Sequence, residues 1–406
     1  MIMDFHIILT QDLNSPSGLG RYLPLAKELN RLGYGVGITA TYSNFKSLSH
    51  RLQNIQGVEV LYVSQMHVYK NGNLKSYPSF FSLIANVIYS TIKLTSVAIR
   101  QRSNVLIIGK PHPMNSIAGI IAKIIWKSTL IIDIDDDEEN SNKISSNWQK
   151  WILGLFQKNV PKFADIVTTN TKFMEDKLIK YGVKPNQIYY LPNGIDITRF
   201  KDDVSYEDLL SFKELLGVNG KKIILYIGSI SYRSHPIPLL LHAYKEVIKS
   251  VPDSVLIIVG GGEDVERMLE EIKNLNLDKN VIYVGKVETN MVIKYYLIAD
   301  VTIDPVYDND VARGRCPLKI FEAWFFGVPC ITGDVGDRRM LAGDSPALLL
   351  CKPGDPIDLA KAIIEVISNP TKAWSLTSRG KSRLRYYTWG NLVSDFVEYL
   401  KSLDIC

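Results

Sequence analysis

The residues best suited to chemistry lie in one short stretch, Cys316 to Pro329, CPLKIFEAWFFGVP. Its body is apolar except for Lys319 and one carboxylate, Glu322. Pro317 suits a first helical turn, where its missing N–H is not needed. Gly327 and Pro329 then end the segment, so the spacing predicts a short buried helix. Arg313 and Arg315 stand just before it. A helix start offers free N–H groups and a partial positive charge, a setting that holds phosphate. Glu322 lies further along, where a carboxylate accepts hydrogen bonds from the hydroxyls of a ribose. Helical spacing sets Lys319 away from the buried face, directed to where a phosphate would lie. The stretch thus predicts a grip on a nucleotide diphosphate.

Other candidates stand where apolar, strand-like runs stop. Gly18 and Gly20 follow the first such run in a small-residue loop that leads into a helix. That order lets backbone approach a phosphate closely, although a Gly-x-Gly pair also makes an ordinary tight turn. His112 lies between Pro111 and Pro113 at another strand end, as either a structural or a functional imidazole. The run Asp133, Asp135, Asp136, Asp137 is open to three readings: a solvated loop, a divalent-metal site, or a contact to an acceptor hydroxyl. Asp133 and Asp135 stand nearest the strand end. Further on, Gly228 and Arg233 follow a strand, with Arg233 either a phosphate partner or a surface residue. Gly260, Gly261 and Gly262 follow a very apolar run and mark either close approach to a ligand or a sharp turn. Gly285 to Val287 end the next strand, where backbone groups suit a planar base. Asp308 and Asp310 lead into the two arginines.

These positions need a scaffold that brings strand ends together. The chain has 406 residues, too many for one ordinary core, so two domains are expected. Apolar residues make up 46% and charged residues 22%, as in globular proteins. A net charge of +5 suits phosphorylated substrates or an anionic surface, and no Lys/Arg cluster interleaved with aromatics argues for nucleic acid. The four cysteines show no metal spacing and read as reduced thiols. The N-terminus runs straight into a strand without a signal-like segment, which fits a cytoplasmic chain. Strand-like runs alternate with helical ones along the whole length. That order predicts parallel sheets covered by helices, with ligands beyond the carboxyl ends of the strands. The polar segment from Asp196 to Ser211 reads as a linker between two such series. The apolar run from Ser79 to Ile99 reads as a buried or interfacial helix, with burial between layers as the preferred account. Trp389, Leu392, Val393, Phe396 and Leu400 form a one-sided stripe on a terminal helix.

The ordered series SGLGR (17–21), PNGID (192–196), YIGSI (226–230), VGGG (259–262), VGKV (284–287) and KIFEAWFFGVPCIT (319–332) resembles the GT-B glycosyltransferases of the retaining family 4 type. The resemblance covers nearly the whole chain. It implies an α/β fold of two Rossmann-like doubly wound domains facing across a cleft. An acceptor-binding domain would cover residues 1–197, joined by a returning C-terminal helix at 386–406, and a nucleotide-sugar domain residues 198–385. It implies transfer of a sugar from a nucleotide-diphosphate sugar to an acceptor hydroxyl, with retention. No cofactor and no metal are expected, and the nucleotide base is open. Glu322 would hold the ribose, and the backbone from Cys316 through Leu318 to Lys319 the diphosphate. Arg233, with Arg313, Arg315 or Lys319, would neutralise the leaving group. Gly18, Gly20, Gly228, Gly261 and Val287 would line the donor, and His112, Asp133, Asp135 and Asp136 would face the acceptor, a glycan or lipid-linked molecule. Peripheral membrane contact at the inner face of the cell membrane is a further expectation. The sequence departs from the family pattern at Gly314, where a second Glu is common, and at Ser229 and Tyr232–His235, where an Arg and a Lys are usual. A UDP-sugar epimerase of the same fold and a non-catalytic nucleotide-sugar-binding protein are the alternative functions.

Overall fold

A computed structural model describes residues 3–71, 74–76, 78–138, 146–200 and 203–406. The alternating β-branched runs form two large sheets, each in its own compact unit. One unit comprises Met1–Gly194, Gly314–Cys316 and Trp389–Cys406, and the other comprises Ile195–Arg313 and Pro317–Thr388.

In the first unit the strands are β1 (Met3–Leu9), β2 (Val36–Tyr42), β3 (Leu52–Ile55), β4 (Val58–Gln65), a small hairpin of β5 (Tyr69–Asn71) and β6 (Leu74–Ser76), β7 (Ser103–Gly109), β8 (Thr129–Ile134), β9 (Ile166–Thr169) and β10 (Ile188–Tyr190). The sheet order is β10-β9-β8-β7-β1-β2-β4-β3, parallel apart from β3 against β4. Ile7, Ile107, Ile131 and Val167 from four neighbouring strands are fully buried, as a sheet covered on both faces requires. The helices are α1 (Leu23–Arg31), α2 (Phe80–Arg100), α3 (Pro113–Trp126), α4 (Asn147–Asn159) and α5 (Lys172–Lys180). His6, within β1, holds Thr39 of β2 at 2.8 Å, and burial pushes its imidazole down to about 4. The ring therefore stays neutral at physiological pH, as its place in an apolar sheet demands.

In the second unit β11 (Lys222–Ile227), β12 (Ser254–Val259), β13 (Val281–Gly285), β14 (Val301–Asp304), β15 (Cys330–Gly333) and β16 (Leu349–Cys351) make a wholly parallel sheet, β13-β12-β11-β14-β15-β16. Its helices are α6 (Tyr206–Leu215), α7 (Ile237–Ser250), α8 (Val265–Asn274), α9 (Thr289–Ile298), α10 (Asp310–Arg313), α11 (Leu318–Phe326), α12 (Arg338–Ala342), α13 (Pro356–Ser368) and α14 (Pro370–Leu384). The last helix, α15 (Trp389–Ser402), belongs to the first unit. Its expected apolar stripe is buried there, and Trp389 Nε1 donates to the Gly20 carbonyl at 3.0 Å.

Three expectations need correction. The unit boundary falls at Gly194 rather than 197, because Ile195 bridges Thr388 and its N–H donates to the Tyr387 carbonyl. For the same reason residues 386–388 stay with the second unit, where Tyr387 stacks on Phe321. The segment 196–211 is not simply a linker: Ser205 and Asp208 form a reciprocal capping box that starts α6, while residues 201–202 lie outside the described residues. Finally, α2 is not a buried core helix. Only its Ser90, Leu94 and Ala98 are buried.

Candidate functional site

The second unit builds the donor-type constellation on α11. Pro317 precedes it in extended conformation, and Gly327 ends it with φ 70°, the left-handed value that favours glycine. Ile320, Phe321, Ala323 and Trp324 are buried, and Trp324 Nε1 is anchored on the Ala347 carbonyl. A Cβ on Gly380 of α14 would fall 2.3 Å from the Trp324 ring, so that helix can approach only through glycine. This anchoring fixes the opposite, half-buried side that carries Glu322. Tyr296 of α9 donates its hydroxyl to Glu322 Oε2 at 2.9 Å. Burial first, and the Glu322 carboxylate second, push the Tyr296 phenol well above its ordinary value, so it remains a donor. The phenol thereby orients the carboxylate. Tyr296 carries no motif signal in the sequence; its position at i−26 becomes meaningful only once α9 packs beside α11.

Lys319 departs from expectation. Its side chain does not point away from the buried face but is 9% exposed, with Nζ 3.4 Å from Asp304 Oδ1 and 4.4 Å above the Tyr226 ring centroid. A Cβ on Gly228 would meet Lys319 Nζ at 3.2 Å and the Tyr226 hydroxyl at 3.1 Å. The ammonium therefore lies directly beneath the end of β11. Asp304 in turn holds Arg338, from which Nη2 and Nε donate at 3.0 and 3.1 Å, and accepts the Thr332 hydroxyl at 2.9 Å. Burial alone would raise the Asp304 carboxyl, but Arg338 and Lys319 beside it reverse that and hold it well below the usual carboxylate range. The anion is thus permanent, and it orients Lys319 from below. Asp304 and Arg338 were not singled out by sequence, since each is one charge in an ordinary loop or strand end.

The glycine triplet after β12 also finds a different explanation. A Cβ on Gly260 or Gly262 would fall 1.9 Å from the Gly228 carbonyl or 2.0 Å from the Ile230 carbonyl, and the Gly261 carbonyl accepts the Ile230 N–H. Gly260 and Gly262 let the loop after β11 lie against the loop after β12, and Gly261 is held between them through its carbonyl. Arg233 is exposed in a turn closed by Ser231, and Val287 is half-buried just beyond β13. Arg313 is exposed and forks onto Asp308 at 2.7 and 3.0 Å. Leu318 is half-buried at the start of α11.

In the first unit the predicted residues separate into a structural and a polar group. Gly18 and Gly20 lie in a π-helical turn before α1. A Cβ on Gly18 would lie 2.7 Å from the Asp12 carbonyl and from Leu13, and the Gly20 carbonyl is taken by Trp389. Gly18 thus serves the packing of its own loop, and Gly20 ties that loop to α15. Arg21 of that turn forks onto Asp133 at 2.6 and 2.7 Å, and its third nitrogen reaches the Leu191 carbonyl and Asn193 Oδ1. Thr168 adds a hydrogen bond to Asp133 at 2.6 Å. Asp133 is therefore corrected from an acceptor-facing residue to the anchor of a buried ion pair. Asp137 is likewise taken by Gln157 and Lys177.

The remaining polar group surrounds Lys110, which has φ 66° and is locked by Asn115 Nδ2, donating to the Gly109 and Lys110 carbonyls at 2.8 and 2.9 Å. Its ammonium reaches Glu138 at 2.5 Å, Asp135 at 3.4 Å and Asp136 at 3.9 Å. His112 bridges Thr10 at 2.7 Å and Glu138 at 3.0 Å. Burial raises Asp136 first, Asp135 and Glu138 add to this, and Lys110 and Arg315 oppose it; the outcome is a carboxyl pushed up to about 6. Glu138 moves the other way: Lys110 and His112 outweigh its burial and hold it well below the usual range. A backbone at positive φ for a lysine is the kind of strain that concentrates at functional positions. Glu138 and Lys110 were missed because only His112 stood out in GKPHP and only the aspartates in the acidic run. Glu139 and Asn140, the end of that run, lie outside the described residues. Among the described residues no group of three or more His, Cys, Asp or Glu side chains is arranged to hold a metal ion.

Comparison with known proteins agrees with this architecture. Residues 18–199 match the model described as "Glycosyltransferase Family 4" and residues 210–383 the model described as "Glycosyl transferases group 1". A D-inositol 3-phosphate glycosyltransferase of Rhodococcus jostii is 24% identical over 251 residues, 60% of this chain and 53% of that protein. The aligned stretches span 53–60% of the length of the first curated relatives. Sucrose-phosphate synthase from Thermosynechococcus elongatus superposes with TM-score 0.76 at 17% identity, covering 98% of this chain and 99% of that one. Anabaena Alr3699/HepE, solved in complex with UDP and glucose, gives TM-score 0.74 at 18% identity, covering 98% and 100%. With both sheets mainly parallel, the last helix returned to the first unit and each half matched by a glycosyltransferase model, this chain belongs to the GT-B glycosyltransferases.

Proposed function

We propose that the chain moves a sugar from a nucleotide-diphosphate sugar to an acceptor hydroxyl, with retention at the anomeric carbon and without a resident metal or other cofactor. The observation that carries this reading is the pairing, on one helix, of an oriented carboxylate and a buried ammonium: Glu322 held by Tyr296, and Lys319 held over Tyr226 by Asp304. Glu322 suits the two hydroxyls of a ribose. The N–H groups that open α11 and the Lys319 ammonium suit a diphosphate. In the reaction the bond from the anomeric carbon to the diphosphate oxygen breaks and a bond to the acceptor oxygen forms. The acceptor proton leaves with the phosphate, whose new charge Lys319 meets. Preorganised charge of this kind commonly lowers a barrier more than any other single effect.

A structural neighbour solved with UDP and glucose supports a uridine donor, and retention follows from the resemblance to the retaining family 4 type. The acceptor we take to be a glycan or a lipid-linked molecule. The four free thiols suit a reducing, cytoplasmic compartment. Incubating the full chain with UDP-glucose, GDP-mannose or ADP-glucose in water tests the reading by NMR, because water serves as a slow acceptor. Release of nucleoside diphosphate with the sugar first appearing in the donor's own anomeric form is expected. Unreacted donor that has changed stereochemistry at a ring carbon would instead establish an epimerase, and donors left wholly intact a binding protein.

A further inference from the structure

Helix α2 is built inside out. Its outward positions Phe81, Ile84, Ile88, Tyr89 and Ile92 recur at helical spacing and are all exposed, Phe81 by 82% and Ile92 by 60%. Two of its hydroxyls are satisfied within the unit: Ser90 is fully buried and reaches the Gln65 carbonyl, and Thr91 bonds back to the Val87 carbonyl. An ordinary surface helix shows the reverse distribution. Its neighbours extend the pattern. Along α3, which packs beside α2, Ile124 is 73% exposed, and on α4 Trp151 is 65% exposed while Trp148 meets Phe80 edge-on.

The charges around this face are mainly basic; the acid that meets it, Asp165, pairs with Lys123 of α3 at 2.7 Å. Between Glu59 and Asp133 the chain has no acidic residue but eight Lys or Arg, and α4 with its following turn adds Lys150, Lys158 and Lys162, again without an acid. Lys93 extends from the exposed stripe of α2 across Tyr89, and Lys127 is exposed at the end of α3. Exposed Phe, Ile, Trp and Tyr bordered by lysine is the composition of a face that lies in the interface of an anionic bilayer.

We propose that the face formed by α2, α3 and α4 docks the first unit onto an anionic lipid surface, with α2 lying parallel to the membrane plane rather than crossing it. This is independent of the sugar-transfer reading. The test uses sedimentation of the full chain with phosphatidylcholine vesicles, alone or with about three parts in ten phosphatidylglycerol. The chain is expected to sediment with the anionic vesicles and to remain largely in solution with the neutral ones. The double variant Ile88→Asp, Ile92→Asp should weaken binding by at least about tenfold, and Lys93→Gln with Lys127→Gln should reduce the difference between the two vesicle types. Both variants should keep the wild-type melting temperature, which separates lost docking from lost folding. A wild-type chain left in the supernatant with either vesicle would overturn the proposal. So would equal binding to both, or a dimer in ultracentrifugation that the isoleucine variant splits, which would make a second copy the occupant.

Discussion

Replacing Lys319 by methionine, which keeps the apolar stem and removes the charge, should lower turnover by about 100- to 1,000-fold while the chain stays folded. The size of the effect follows from where the ammonium sits. It is almost wholly buried, over an aromatic ring and 3.4 Å from an aspartate that cannot protonate at neutral pH. A charge so placed needs no reorganisation when a diphosphate departs, and the low dielectric around it magnifies its effect. Lysine at an exposed position, such as the one expected from helical spacing alone, would be screened by water and worth far less. A steady-state assay on Lys319→Met, alongside Arg233→Ala, distinguishes the two. The exposed Arg233 should matter less than Lys319, and the opposite ranking would shift the phosphate clamp to the loop after β11. Asp304→Asn should reproduce part of the Lys319 effect, because it removes the anion that orients the ammonium.

The second large effect is on folding. Asp133→Ala should destabilise the first unit by about 3–5 kcal/mol, since it leaves the Arg21 guanidinium buried and unmatched. Arg21 and Asp133 are each 2% exposed in their side chains, and the carboxylate accepts three hydrogen bonds from Arg21 and Thr168. Urea unfolding followed by circular dichroism reads the loss directly. Asp136→Asn offers the contrast. Its carboxyl is pushed up to about 6, so in the folded chain it gives up its proton reluctantly. A raised acid contributes stability that is present below the ordinary aspartate value and is lost as pH rises through about 6. Asp136→Asn should therefore be neutral or stabilising at pH 8, in contrast to the loss expected for Asp133→Ala. Two aspartates three positions apart in one acidic run thus have opposite physical roles.

That contrast shows where the sequence was readable. The strands at 36–42 and 166–169 and the helices at 289–298, 318–326 and 356–368 have the bounds that apolar period and flanking Gly or Pro imply. Local patterns of this kind are set by nearest neighbours along the chain. The site is not. Asp133 meets Arg21 across 112 positions, Glu322 meets Tyr296 across 26, and Asp304 meets Arg338 across 34. No spacing rule links such pairs, so acidic residues at a strand end could not be sorted into anchors and exposed groups. Lys319 was misplaced for a related reason. Helical period gives its direction relative to α11, but only the approach of β11 and β14 makes that direction an interior. The glycines after β12 signalled close approach correctly in kind, yet what approaches them is the chain's own loop. Helix α2 departs from the usual rule, because much of its apolar content, Phe81, Ile84, Ile88 and Ile92, lies on the outside.

On the proposed reading, α11 holds a nucleoside diphosphate through Glu322, the helix start and Lys319. Calorimetric titration of the full chain with UDP, GDP and ADP tests it without any knowledge of the acceptor. One of the three should bind, and Glu322→Ala should weaken it by about 10- to 100-fold, the worth of hydrogen bonds between a charged group and ribose hydroxyls. No heat with any of the three nucleotides, or an unchanged affinity in Glu322→Ala, would contradict the account.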